Sequence, residues 1–165
     1  MTRFVNLVRA AAACALALVL AAPPAAAQGN ASASKPTVAA IAHKTHHLIL
    51  QVNTNDPAMM NLALNNATNV EQYYKARGEK VEIAVVTFGP GLNMLRDDTS
   101  PVKDRIKAIM ANSSFISFMA CGNTQEIMGK AEHKEIPLIS QATLVKDGVV
   151  RVMELQEQGW TYVRP

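Results

Sequence analysis

The feature that most constrains this chain is an alternation. Short apolar runs rich in β-branched residues give way, about five times, to stretches whose apolar residues recur at helical spacing. The runs are His47–Val52, Val81–Phe88, Ser114–Ala120, Thr143–Val145 and Trp160–Val163. Between them lie four helical stripes: Met59, Leu62, Ala63, Ala67, Val70 and Tyr74; Val102, Ile106, Ile109 and Met110; Ile127, Met128 and Ala131; and Val149, Val152, Met153 and Gln156. A helix between successive strands returns the chain to the same end of a sheet, which makes the strands parallel. The expected fold is a single α/β domain, a mainly parallel five-stranded sheet flanked by helices on both faces.

Local signals punctuate the elements. Asp56 caps the first helix with Pro57 at its first position, and Gly78 stops it. Leu92–Leu95 forms one short helical turn, and Ser100-Pro101 opens the second helix. Asn123 with Glu126 three residues on reads as a reciprocal cap of the third helix, Asp147 as the cap of the fourth and Gly159 as its stop.

The N-terminus reads as an export signal. Arg3 and Arg9 precede an apolar run from Ala10 to Ala22, Pro23-Pro24 break it, and Ala25-Ala26-Ala27 offers a cleavage site before Gln28. The run is shorter than the ~20 residues that span a bilayer. The expected division is a signal peptide over 1–27, a small, polar, flexible tether over 28–45 and the domain over 46–165. In a cell with two membranes the destination is the periplasm. Of the 16 basic residues, Arg3 and Arg9 leave with the leader, so the remaining charge nearly balances the 13 acidic residues. No basic run interleaved with aromatics is present, so neither nucleic acid nor, after cleavage, a membrane is an expected partner.

Loss of Cys14 with the leader leaves Cys121 alone. An unpaired thiol in an exported protein points to intermolecular pairing or to a free reactive group. Cys121 falls where a strand hands over to a helix, and parallel α/β sheets bind ligands beyond the carboxyl ends of their strands. The other segments at such ends are Asn53–Asp56, Gly89–Asn93 and Lys146–Asp147. A helix N-terminus lowers a thiol pKa from ~8.5 to roughly 3.5–7.5, so the expectation is a partly exposed thiolate at Cys121. Gly122 and Asn123 supply backbone donors, and Gly122 lets a substrate sulfur approach; Asn53, Asn55, Gly89 and Gly91 wall the site. The competing reading is a packed cysteine acting as a small apolar filler.

Other candidates are weaker. Gly89-Pro90-Gly91-Leu92-Asn93-Met94 lacks the third glycine of a dinucleotide fingerprint and reads as a tight turn. His43, His46 and His47 lack metal-ligand spacing, His133 reads as solvated, and the methionines fall mostly on apolar stripes. Asp97-Asp98 reads as a turn ahead of Ser100-Pro101. No nucleophile elbow or HExxH element occurs. Neither a metal nor a cofactor is expected.

Several segments together resemble the DsrE family. They are Asn65-Asn66-Ala67, Phe88-Gly89-Pro90-Gly91-Leu92, Thr99-Ser100-Pro101-Val102-Lys103, Ala120-Cys121-Gly122-Asn123-Thr124, Glu135-Ile136-Pro137, and Val149–Arg164 with its Gln156-Glu157-Gln158-Gly159-Trp160. The likeness runs over His46–Pro165. It implies a YchN-like fold, a homo-oligomer of three or six subunits, and a cysteine that carries sulfur as a persulfide; Cys121 is the residue available for that part. The best-understood relatives hand sulfur among cytoplasmic partners, which an exported chain does not meet. The expected function is an exported persulfide or mixed-disulfide carrier. The alternative is a non-catalytic oligomeric binding or assembly module with an inert Cys121, and a third possibility is a small-ligand or metal-binding protein built on the histidines.

Overall fold

The computed structural model describes residues 44–165. The signal peptide read over 1–27, and the tether as far as residue 43, lie outside the described residues. Thr45 already belongs to the first strand, one residue ahead of the expected His46.

Five strands, β1 (Thr45–Val52), β2 (Lys80–Thr87), β3 (Ile116–Cys121), β4 (Ala142–Val145) and β5 (Thr161–Val163), form one sheet in the order β4-β3-β2-β1-β5. Every pairing is parallel. The helices are α1 (Pro57–Ala76), α2 (Lys103–Asn112), α3 (Gly122–Glu132) and α4 (Gly148–Glu157), and a 3-10 helix, Gly89–Leu95, follows β2. None of the described helices is long and apolar enough to cross a membrane.

The strand order dictates the layers. The chain steps outward from β1 to β4 and then returns to the far side of β1 for β5. Right-handed crossovers put helices on one face during the outward steps and on the other during the return. The cores agree. Leu48, Leu50, Val52, Ile83, Val85, Ile116 and Phe118 pack against Met60, Ala63, Leu64 and Ala67 of α1, Leu92 and Leu95 of the 3-10 helix, and Ile106 of α2. On the opposite face Ile49, Ala84 and Val86 meet Val152 and Leu155 of α4. β2 is therefore buried on both sides along Ile83-Ala84-Val85-Val86, which accounts for its unbroken apolar run.

Capping follows the sequence at two helices. Asp56 Oδ1 accepts the Ala58 N–H at 2.8 Å, and Asp147 Oδ1 accepts those of Val149 and Val150 at 2.9 and 3.2 Å. Gly78, with φ 69°, ends the first.

The inward faces differ from the expected stripes. In α1 they are Met60, Ala63, Leu64 and Ala67, while Leu62 is 40% exposed. In α4 they are Gly148, Val152 and Leu155, with Val149 and Met153 exposed. Each helix carries adjacent apolar residues on two flanks, and the sheet, not the periodicity, chooses which flank is covered. α3 buries no residue; Ile127 is 58% exposed and Met128 packs only partly against the core. That helix touches mainly β3 and the 3-10 helix, leaving its outer face in solvent.

Candidate functional site

Cys121 is the last residue of β3 and the N-cap of α3. Its sulfur accepts the backbone N–H of Thr124 at 3.4 Å. The sulfur itself therefore takes the capping place that the sequence assigned to Asn123 with Glu126. Asn123 lies in the first turn, and its N–H donates to the Lys146 carbonyl at 3.1 Å.

The partly exposed thiol is corrected: Cys121 is 3% exposed. The cause is the register of the neighbouring strand. Cys121 pairs with Val145 at the end of β4, so the turn after β4 delivers Gly148, the first residue of α4, directly onto it. A Cβ on Gly148 would stand 3.1 Å from the Cys121 Cβ and 3.0 Å from the Phe88 ring. Gly122 also serves packing: a Cβ there would lie 3.2 Å from the Val145 carbonyl oxygen, so its bare Cα admits the end of β4.

The remaining expected site residues fall around the thiol in separate places. Asn55 and Gly89 line a cleft of about 440 Å³ with Asn93, Arg96 and Thr124. In it, Gly89, at φ 53°, donates its N–H to the Thr124 hydroxyl at 3.0 Å, and Asn93 Nδ2 donates to Asn55 Oδ1 at 2.6 Å. Asn123 lines a larger groove of about 880 Å³, floored by Met119 and Val145 and rimmed by Glu126, Lys146, Asp147, Arg151 and Glu154. Gly91 is buried, and a Cβ on it would sit 2.2 Å from the Val52 carbonyl oxygen and 2.8 Å from the Asn53 Cα. It holds the 3-10 helix against the end of β1, and Asn53 is the half-buried strand end it packs on. Cys121 itself lines neither; of its neighbours, Thr124 lines the cleft and Asn123, Lys146 and Asp147 line the groove.

An ion cluster borders the smaller cleft. Arg96, 6% exposed, donates to both oxygens of Asp98 at 2.9 and 2.8 Å and to Glu132 at 2.8 Å; Lys134 reaches Asp98 at 2.8 Å. Hydrogen bonds from Arg96, and then from Lys134, hold the Asp98 carboxyl well below the usual carboxylate range, and a hydrogen bond from Arg96 also lowers Glu132. The same bonds raise Arg96. Asp98 is therefore a clamp, not merely a turn-former; Asp97 fits the turn reading, bonded to Lys103. The partner Glu132 lies 36 residues away, beyond any local sequence signal.

His46 and His47 point to opposite faces of β1. His46 Nε2 meets Glu79 at 2.6 Å and its ring stacks on Tyr74, whereas His47 packs against Trp160. Among the described residues no three His, Cys, Asp or Glu side chains gather as metal ligands would.

Among the described residues, fold and site define an all-parallel α/β domain with one thiol, Cys121, at the C-terminal end of its sheet. No family model matches the chain, and no curated protein does. Among solved structures it is similar to a protein of unknown function, MTH1491, from Methanobacterium thermoautotrophicum, with a TM-score of 0.61 and 26% identity. The match covers 73% of this chain and 99% of that one, and supports the α/β architecture.

Proposed function

We propose that the protein carries sulfane sulfur or thiols on Cys121, as a persulfide or mixed disulfide. One observation carries the reading: the sulfur caps the N-terminus of α3 and accepts the Thr124 N–H at 3.4 Å, while its neighbours Asn123 and Thr124 line the groove and the cleft. The thiolate, not the thiol, is the nucleophile in sulfur transfer. The DsrE-like segments add weight. In uptake, the Cys121 sulfur attacks a sulfur atom of a polysulfide, the donor S–S bond breaks, and the shortened polysulfide leaves with the electron pair. An acceptor thiolate then takes the outer sulfur and restores Cys121. Movement of the Lys146–Gly148 turn opens the path. Export through the signal peptide to the periplasm, and assembly into a trimer or hexamer, belong to the same proposal.

The test is intact mass spectrometry of the folded protein after polysulfide exposure, beside alkylation of Cys121. A gain of one sulfur atom that is lost to dithiothreitol and absent from Cys121→Ser supports the reading; an inert thiol in the folded oligomer sinks it. The mass of protein from its native compartment also reads the mature N-terminus.

A second reading rests on the burial of Cys121. A sulfur that caps a helix and packs under Gly148 also suits a non-catalytic binding or assembly module. In that case Cys121→Ser leaves assembly and partner binding unchanged.

A further inference from the structure

At the end of the sheet opposite Cys121, a cavity of about 380 Å³ lies between the last turns of α1 and the starts of β1 and β2, bounded by Thr161 of β5. Leu48, Val70 and Val81 give it an apolar lining. The rings of His46, Tyr73 and Tyr74 stand around these, and His47, whose own ring packs on Trp160, borders the cavity. Asn69 and Thr161 contribute an amide and a hydroxyl. No Lys, Arg, Asp or Glu lines it among the described residues.

The rings are held in place. His46 stacks on Tyr74 with centroids 3.9 Å apart, and Tyr73 meets Tyr74 edge-on at 5.2 Å. Glu79 fixes His46 from behind through Nε2 at 2.6 Å, and Arg77 binds the other Glu79 oxygen at 2.8 Å while lying over Tyr73. Glu79 thus has both oxygens engaged, while Glu82 lies 3.7 Å from His47 at an exposed position outside the lining. Rigid aromatic walls cost little entropy when a ligand is ordered against them, and the volume falls within the ~300–1,000 Å³ of small-molecule sites.

We infer that this cavity is a second binding site, separate from the thiol, for a small uncharged aromatic molecule of one or two rings. No Lys, Arg, Asp or Glu among the lining residues is there to pair with a charged ligand, the rings offer edge-to-face partners, and Asn69 with Thr161 can hydrogen-bond one polar edge of the guest.

The test is a titration of the isotope-labelled full chain with indole and, separately, with benzoate, followed by amide NMR. Indole is expected to give saturable shifts centred on Asn69–Tyr74, His46–Leu48 and Thr161, with benzoate giving none. Tyr73→Ala, at an exposed position that the core does not need, is expected to weaken indole binding about three- to tenfold. Thr161→Val, which preserves shape, is expected to weaken it as well. Non-saturable or scattered shifts would overturn the inference, as would benzoate binding equally well or affinity unchanged in both variants.

Discussion

Gly148 covers Cys121 with backbone alone: a methyl group at Gly148 would lie 3.1 Å from the Cys121 Cβ. The start of one helix thereby seals the sulfur that caps the start of another. Any chemistry at the thiol depends on how readily that seal lifts.

Gly148→Ala forces the new methyl against both Cys121 and Phe88, which stand 3.1 and 3.0 Å from its position. Overpacking of this kind costs about 1–3 kcal/mol. The urea midpoint is expected to fall with the slope unchanged; a wild-type midpoint would show that the contact is looser than described.

Cys121→Ala removes the group that accepts the Thr124 N–H, whereas Cys121→Ser replaces it with a good capping oxygen. The alanine variant is expected to be less stable than the serine variant by about 0.5–2 kcal/mol, the usual worth of a cap. Equal denaturation curves would mean that the sulfur does not cap α3.

Gly91→Ala sets a Cβ 2.2 Å from the Val52 carbonyl oxygen, a backbone atom that cannot turn aside. The cost is expected at the top of the roughly 1–3 kcal/mol overpacking range or beyond it. Thermal melting beside Gly89→Ala separates steric exclusion at Gly91 from the φ of 53° at Gly89, where a Cβ meets open space.

Acid should loosen the clamp between the 3-10 helix and α3. Asp98 and Glu132 have folded-state pKa values lowered by Arg96. Their contribution is fully present above the ordinary carboxylate values of roughly 3.9–4.3 and is lost as pH falls through the lower folded values. Stability is expected to decline below about pH 5, and less steeply in Asp98→Asn, which already lacks one partner of Arg96. Denaturation midpoints from pH 7 to 3 check this; parallel curves for the two proteins would remove the clamp from the acid response.

Alanine substitution reads the register of α1. Leu64 is fully buried, and Leu64→Ala is expected to cost about 2–5 kcal/mol. Leu62 is 40% exposed, and Leu62→Ala should cost well under half as much. Comparable losses would contradict the described face of the helix.

Much of the architecture was legible in the residues. Asp56-Pro57, Gly78, Asp147 and Gly159 marked element ends because capping and left-handed turns depend on side chains within a few residues of each other. The Val81–Phe88 run announced a strand, and its lack of polar alternation reflects burial on both faces along Ile83–Val86. The separation of Asn55 and Gly89 from Asn123 was not legible, nor was the pairing of Arg96 with Glu132. Both depend on which strand ends stand side by side, and that is settled by sheet order rather than by spacing.

By itself, the sequence determined an alternating α/β chain with parallel strands and a thiol at a strand-to-helix junction, because periodicity, caps and turn residues act over one or two helical turns. Only the tertiary structure decided that Leu64 and not Leu62 faces the core, that sulfur rather than Asn123 caps α3, and that Gly148 closes over Cys121. Those outcomes arise where segments distant in the chain compete for the same space, and packing between them is what selects the winner.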